Sequence, residues 1–140
     1  MTDCVFCKIV AGDLPAEKIY ENEKVLAFMD IRPTNEGHVL VIPKEHSTNI
    51  LDINESDWIE LARAVRHISR AVKGATKSCG LNISMNVEAC AGQVVMHPHA
   101  HIIPRYENDG LELWHGKEYE SENIMQELAN KIRSVIEKNG

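Results

Sequence analysis

Residues 97–103 read His97-Pro98-His99-Ala100-His101-Ile102-Ile103, and the rest of the chain is best read outward from them. In an extended strand successive side chains point to opposite faces, so the three imidazoles project together at spacings of roughly 6.5–7 Å. Pro98, Ala100 and Ile102 fall on the other side. Three of the chain's seven histidines within five positions, in register on one face, mark a place for chemistry rather than packing alone. A strand is expected over residues 94–103. Pro98 is the anomaly in it, because a missing N–H is disfavoured inside a sheet; a bulge, or an N–H position unused by the neighbouring strand, would accommodate it.

To either side, short apolar runs alternate with helical patterns. Residues 6–11 suit a short helical turn stopped by Gly12. Lys18-Ile19-Tyr20 and residues 25–30 flank the polar stretch Glu21-Asn22-Glu23-Lys24, the pattern of a hairpin. Residues 37–43 (GHVLVIP) are β-branched and alternate, with His38, Leu40 and Ile42 on one face. Asn54 opens a helix with Glu55 and Asp57 in its first turn, and its apolar residues Trp58, Leu61, Val65, Ile68 and Val72 step by three and four. Residues 81–87 alternate again. Ser121 can cap a last helix with Met125, Leu128, Ile132 and Val135 on one face. The order strands, helix, strands, helix predicts an α+β domain with a mostly antiparallel sheet. No repeat, low-complexity tract or linker divides the chain, so residues 1–140 are expected to form a single domain.

A 44% hydrophobic content supplies one core, and a net charge of -6 argues against a basic surface for nucleic acid. A single nucleotide stays within reach, since a few local donors hold a phosphate. No apolar run approaches the roughly 18 residues of a membrane span. Met1-Thr2-Asp3-Cys4 lacks the parts of a signal peptide, so the expected location is the cytoplasm. In that reducing compartment the Cys4-x-x-Cys7 pair reads as metal or redox chemistry before it reads as a disulfide, whereas Cys79 and Cys90 have no paired spacing.

Two chemistries fit the histidine array. Two or three such histidines can hold a catalytic zinc with an open position. Alternatively, a neutral imidazole acts as nucleophile, provided an acceptor fixes its second ring nitrogen and a neighbour organises the phosphoryl oxygens. Spacing alone leaves both open, along with a non-enzymatic, zinc-stabilised nucleotide-binding role.

The His-x-His-x-His run followed by two apolar residues resembles the signature of the histidine triad (HIT) family, whose members transfer or hydrolyse nucleotidyl groups. Phe6-Cys7-Lys8-Ile9, residues 26–31 (LAFMDI), residues 37–44 (GHVLVIPK) and Ala91-Gly92-Gln93 fall in the family's order. The resemblance implies an antiparallel sheet of about five strands with a long helix and a C-terminal helix, joined across a homodimer into one continuous sheet. It implies cleavage at the α-phosphorus of AMP-type conjugates, phosphoramidates or dinucleoside polyphosphates, with no organic cofactor. His99 then resembles the nucleophile, His101 a phosphate ligand or orienter, and His38 a member of the network behind the nucleophile. Gln93 matches a position near the scissile bridge, Asp30 the ribose carboxylate and Asn86 a polar nucleotide contact. Phe6, Ile9, Leu14 and Ile31 resemble the base pocket, for which ordinary core is the plain alternative. Some bacterial members appear with a Cys, Cys, His, His set, which implies a structural zinc on Cys4, Cys7, His46 and His97.

Overall fold

The structure, a computed structural model, describes residues 3–139. In chain order its elements are α1 (Val5–Ala11), β1 (Lys18–Glu21), β2 (Val25–Met29), β3 (Val39–Pro43), α2 (Glu55–Thr76), β4 (Gly80–Ser84), a single 3-10 turn (Ala89–Ala91), β5 (Ala100–Arg105) and α3 (Glu122–Asn139). The strands form one sheet in the order β1-β2-β3-β5-β4, every neighbouring pair antiparallel. This is the expected α+β architecture.

Local chemistry places the elements. The Cys4 thiol caps α1 by accepting from the Cys7 N–H, and Gly12 closes the helix at φ 85°, a left-handed conformation that glycine adopts without a Cβ penalty. In the β1–β2 turn the Asn22 side-chain oxygen accepts from the N–H groups of Lys24 and Val25, both at 2.8 Å. Asn54 caps α2, its oxygen accepting from the Asp57 N–H at 2.9 Å.

The sheet then sorts its side chains by strand alternation. One face, bearing Val25, Ala27, Val39, Val41, Ala100 and Ile102, packs under Leu61, Ala64, Ile68 and Val72 of α2. The other, bearing Leu26, Phe28, Leu40 and Ile42, packs against Phe6 and Ile9 of α1. Since Val39 pairs with Ile102 and Leu40 with His101, His101 of β5 lies on the α1 side, where His38 also belongs.

The strand expected over residues 94–103 is shorter at its start and longer at its end. Pro98 has no N–H to give a ladder, and the His97 N–H is already spent on the Val95 carbonyl at 2.9 Å, a tight turn just before it. Pairing therefore begins at Ala100, and Pro98 is not inside the sheet at all. His99 and His101 keep their two-residue relation, while His97 is turned off towards the start of α1. Residues 81–87 pair only as far as Ser84.

The chain divides into two compact units, the first running through Asp109 and the second beginning at Gly110. In the second, the Ser121 hydroxyl accepts from the Ile124 N–H and so caps α3, whose apolar stripe of Met125, Leu128, Ile132 and Val135 is exposed.

Candidate active site and metal centre

His99 is buried, 7% exposed, with the Phe6 ring edge-on to it at a centroid distance of 5.1 Å. Its Nδ1 lies 2.7 Å from the His97 carbonyl oxygen. A carbonyl can only accept, so Nδ1 carries the proton and the opposite nitrogen, Nε2, keeps its lone pair. Burial holds the ring's pKa below its usual value and keeps it neutral.

A second chain of bonds fixes the neighbouring rings. The Thr34 N–H donates to His38 Nδ1 at 3.0 Å, which leaves the proton of neutral His38 on Nε2. That nitrogen sits 3.0 Å from His101 Nδ1 and 3.6 Å from an Asp30 carboxylate oxygen. With His101 accepting at Nδ1, its own proton is on Nε2, a buried atom with no hydrogen-bond partner among the described residues. The His99 and His101 rings are 5.0 Å apart, so this uncommitted donor belongs to the same small site. Burial lowers the pKa of His38, and burial together with His99 and His38 pulls that of His101 down to about 4. The array is thus a set of neutral imidazoles with assigned tautomers, one offering a lone pair and one an N–H. His38 reaches His101 rather than His99 directly.

The other residues singled out from sequence distribute as follows. Asp30 accepts from the Arg32 N–H at 2.8 Å with one oxygen and turns the other towards His38. Phe6 and Ile9 are buried in the core, Phe6 with its ring against His99, whereas Leu14 is partly exposed and Ile31 is 92% exposed. The Asn86 amide donates to the Gly92 carbonyl at 3.2 Å. Gln93 is 2% exposed, and its amide is engaged on all sides by Thr48, Asn49, Glu88 and Val95. In this conformation it has no free donor or acceptor for a phosphate, which departs from the expected contact at the scissile bridge. Sequence reading missed the partners that assign the tautomers, namely the Thr34 N–H and the carbonyls of Pro43 and His97. Main-chain groups occur at every residue, so nothing in the side-chain pattern could have marked them.

Cys4, Cys7, His46 and His97 converge with all four ligand atoms within 4.8 Å of one another. His97 Nδ1 is 3.5 Å from the Cys4 sulfur and 3.6 Å from that of Cys7, and His46 Nδ1 is 3.2 Å from Cys7. The far nitrogen of His97 donates to the Pro43 carbonyl at 2.7 Å, which turns the Nδ1 lone pair to the thiols, the outer-shell arrangement of a ligating histidine. Burial and the adjacent Cys4 push the Cys7 thiol up to about 11, so two thiolates here call for a cation. The donor set fits a closed, tetrahedral zinc.

Asp30, His38 and His101 form a second group of similar compactness. Its tautomers argue against metal, because His38 Nε2 is the protonated nitrogen as long as Thr34 donates to the other. His99 belongs to neither group, so the three triad histidines do not share one ion's coordination sphere.

Comparison with known proteins places this geometry. The sequence model of the HIT domain matches residues 11–108. The structure of SMU.412c from Streptococcus mutans superposes with a TM-score of 0.92 at 44% identity, covering 97% of this chain and 87% of that one. A zinc-bound histidine triad family protein from Mycobacterium smegmatis gives a TM-score of 0.75 at 39% identity, covering 84% of this chain and 85% of that one. Adenylylsulfatase HINT3 of Arabidopsis thaliana is 43% identical over 109 residues, which are 78% of this chain and 55% of that protein. A family model spanning most of the chain and relatives of this similarity leave one conclusion: the chain belongs to the HIT family.

Proposed function

We propose that the protein cleaves adenosine nucleotide conjugates at the α-phosphorus through a covalent nucleotidyl-His99 intermediate. The observation that carries this reading is the 2.7 Å bond from His99 Nδ1 to the His97 carbonyl, which leaves a neutral ring with its lone pair on Nε2. An activated nucleophile needs that arrangement and a binding pocket does not. In the first step Nε2 forms a bond to phosphorus as the bond to the leaving group breaks, and the leaving group departs with the electron pair and takes a proton from solvent. In the second, water attacks the same phosphorus and gives up a proton to solvent, the P–N bond breaks and the lone pair returns to Nε2. The uncommitted Nε2–H of His101 donates to a phosphoryl oxygen in both steps, where negative charge is redistributed. Asp30 stands at the end of this row for a sugar hydroxyl, with Leu14 and Ile31 on the open side for the base. The adenylylsulfatase activity named for the Arabidopsis relative supports an AMP-type substrate; phosphoramidates and dinucleoside polyphosphates present the same α-phosphorus.

In the same reading Cys4, Cys7, His46 and His97 hold a structural zinc, which ties α1 to the segment that presents His99. The zinc-bound relative and the converging donors support it. Two copies join at β4, which lies at an edge of the sheet with Ile83 half exposed, and the free thiols suit a reducing cytoplasm.

The test is a rapid acid-free quench with adenosine phosphoramidate and with a diadenosine polyphosphate, followed by intact mass. The wild type should gain one AMP and His99→Ala should not. Turnover by the wild type with no adduct would point to hydrolysis without a covalent step, and no turnover on either substrate would reduce the site to nucleotide binding.

A further inference from the structure

Gln93, six residues before His99 in the chain, carries a buried amide. Gln93 is 2% exposed, and burying a polar group is costly unless every donor and acceptor is matched. Here they are matched. Its Nε2 donates to the Thr48 carbonyl at 2.7 Å and to the Val95 carbonyl at 3.0 Å. Its Oε1 accepts from the Glu88 N–H at 2.8 Å and from the Asn49 amide at 3.4 Å. Three stretches of chain therefore meet on one side chain: residues 48–49, Glu88, and the turn at Val95. Glu88 has φ 69° and ψ 160°, a positive-φ conformation that a residue with a Cβ holds only when its surroundings fix it, and the Gln93 oxygen grips its N–H.

The Val95 carbonyl is the link to the chemistry. It accepts from Gln93 and also from the His97 N–H at 2.9 Å. That second bond closes the tight turn that keeps Pro98 out of the sheet and sets the plane of the following peptide. His97's own carbonyl is the acceptor that fixes the His99 tautomer at 2.7 Å. We infer that Gln93 is a positioning residue, whose buried amide clamps the Val95 turn and so aims the His97 carbonyl at His99 Nδ1. The inference rests on His99 acting as the nucleophile, but it makes a separate claim about the ring's tautomer. It replaces contact with the substrate by action through the main chain.

Gln93→Met keeps the side chain's length and removes both N–H donors, and Gln93→Glu keeps the acceptor side alone. Each variant is compared with wild type above pH 7.5 by steady-state kinetics on adenosine phosphoramidate and by 15N spectra of the histidine rings. The expected result for both variants is a kcat lower by roughly 10- to 100-fold with KM within about threefold, since the reacting nitrogen is misaimed while the pocket is intact. His99 should change from a single Nδ1–H tautomer to a mixture of the two. A folded variant with kcat within about twofold of wild type and an unchanged His99 tautomer overturns the inference. So does a rise in KM at constant kcat, which would make Gln93 a substrate contact. If the variants do not fold, the wild type decides: both Gln93 side-chain N–H protons should be protected from solvent exchange, and rapid exchange overturns the clamp. Should the wild type itself show neither turnover nor adduct, the nucleophile reading fails, while the tautomer comparison still judges Gln93.

Discussion

The charge state of the site follows from how little water reaches its histidines. His38, His99 and His101 each have a pKa below the usual 6.5, and burial is the first cause in every case. The sign for stability follows directly. Between pH 6.5 and the depressed folded values, which for His101 is about 4, the unfolded chain binds protons that the folded one refuses. Stability therefore rises with pH through that window and is flat above it with respect to these groups, with a slope of up to about 1.4 kcal/mol per pH unit for each such histidine. Urea titrations at pH 4.5, 5.5, 6.5 and 7.5 (a set of roughly unit steps) should give the lowest midpoint at the most acid value. His101→Asn should flatten that slope. A midpoint that climbs on acidification would contradict the neutral array. Turnover should fall over the same acid range, because a protonated His99 has no lone pair to offer.

Among the elements, the approach to β3 leaves no room for a side chain at Gly37. Gly37 has φ 94°, and a Cβ placed there would lie 2.6 Å from the Thr76 methyl and 3.0 Å from the Pro104 ring. Gly37→Ala combines backbone strain with overpacking and should cost about 2 kcal/mol or more, read as a drop in the urea midpoint at unchanged m. The adjacent His38 would move with it, so kcat should fall as well. The strands and α2 were legible in the sequence because residues 39–43 form a short apolar, β-branched run buried on both faces, and residues 58–72 follow the three-to-four period of a helix. The start of β5 was not legible. Alternation through His97, His99 and His101 continues unbroken in the sequence, yet Pro98 and the Val95 turn remove the first part from the ladder. The four converging donors Cys4, Cys7, His46 and His97 were readable as residue types, but Gln93 was read as a substrate contact from its place in a motif. Only three-dimensional packing shows that its amide is used up.

For the whole molecule, the order β1-β2-β3-β5-β4 puts the histidine-bearing strand one place in from an edge. In the proposed dimer the β4 edges of two copies pair, so β5 becomes more central and its backbone better protected. Ile83 on that edge is 51% exposed. Ile83→Arg would set like charges against each other across the joint and should yield a monomer by light scattering. An unchanged mass would mean that the copies meet elsewhere, or not at all.

His97 divides its work between two parts of one residue. Its ring faces the cysteines, whereas its main-chain oxygen holds His99. Only the first task depends on which amino acid occupies the position. Under the proposed function, a chain without the thiol pair would exchange this histidine for another side chain and still deliver a nucleophile with its lone pair correctly placed, so the two outer members of the motif are under unequal demand: position 101 keeps an imidazole for its N–H, while position 97 is held to histidine by the proposed ion.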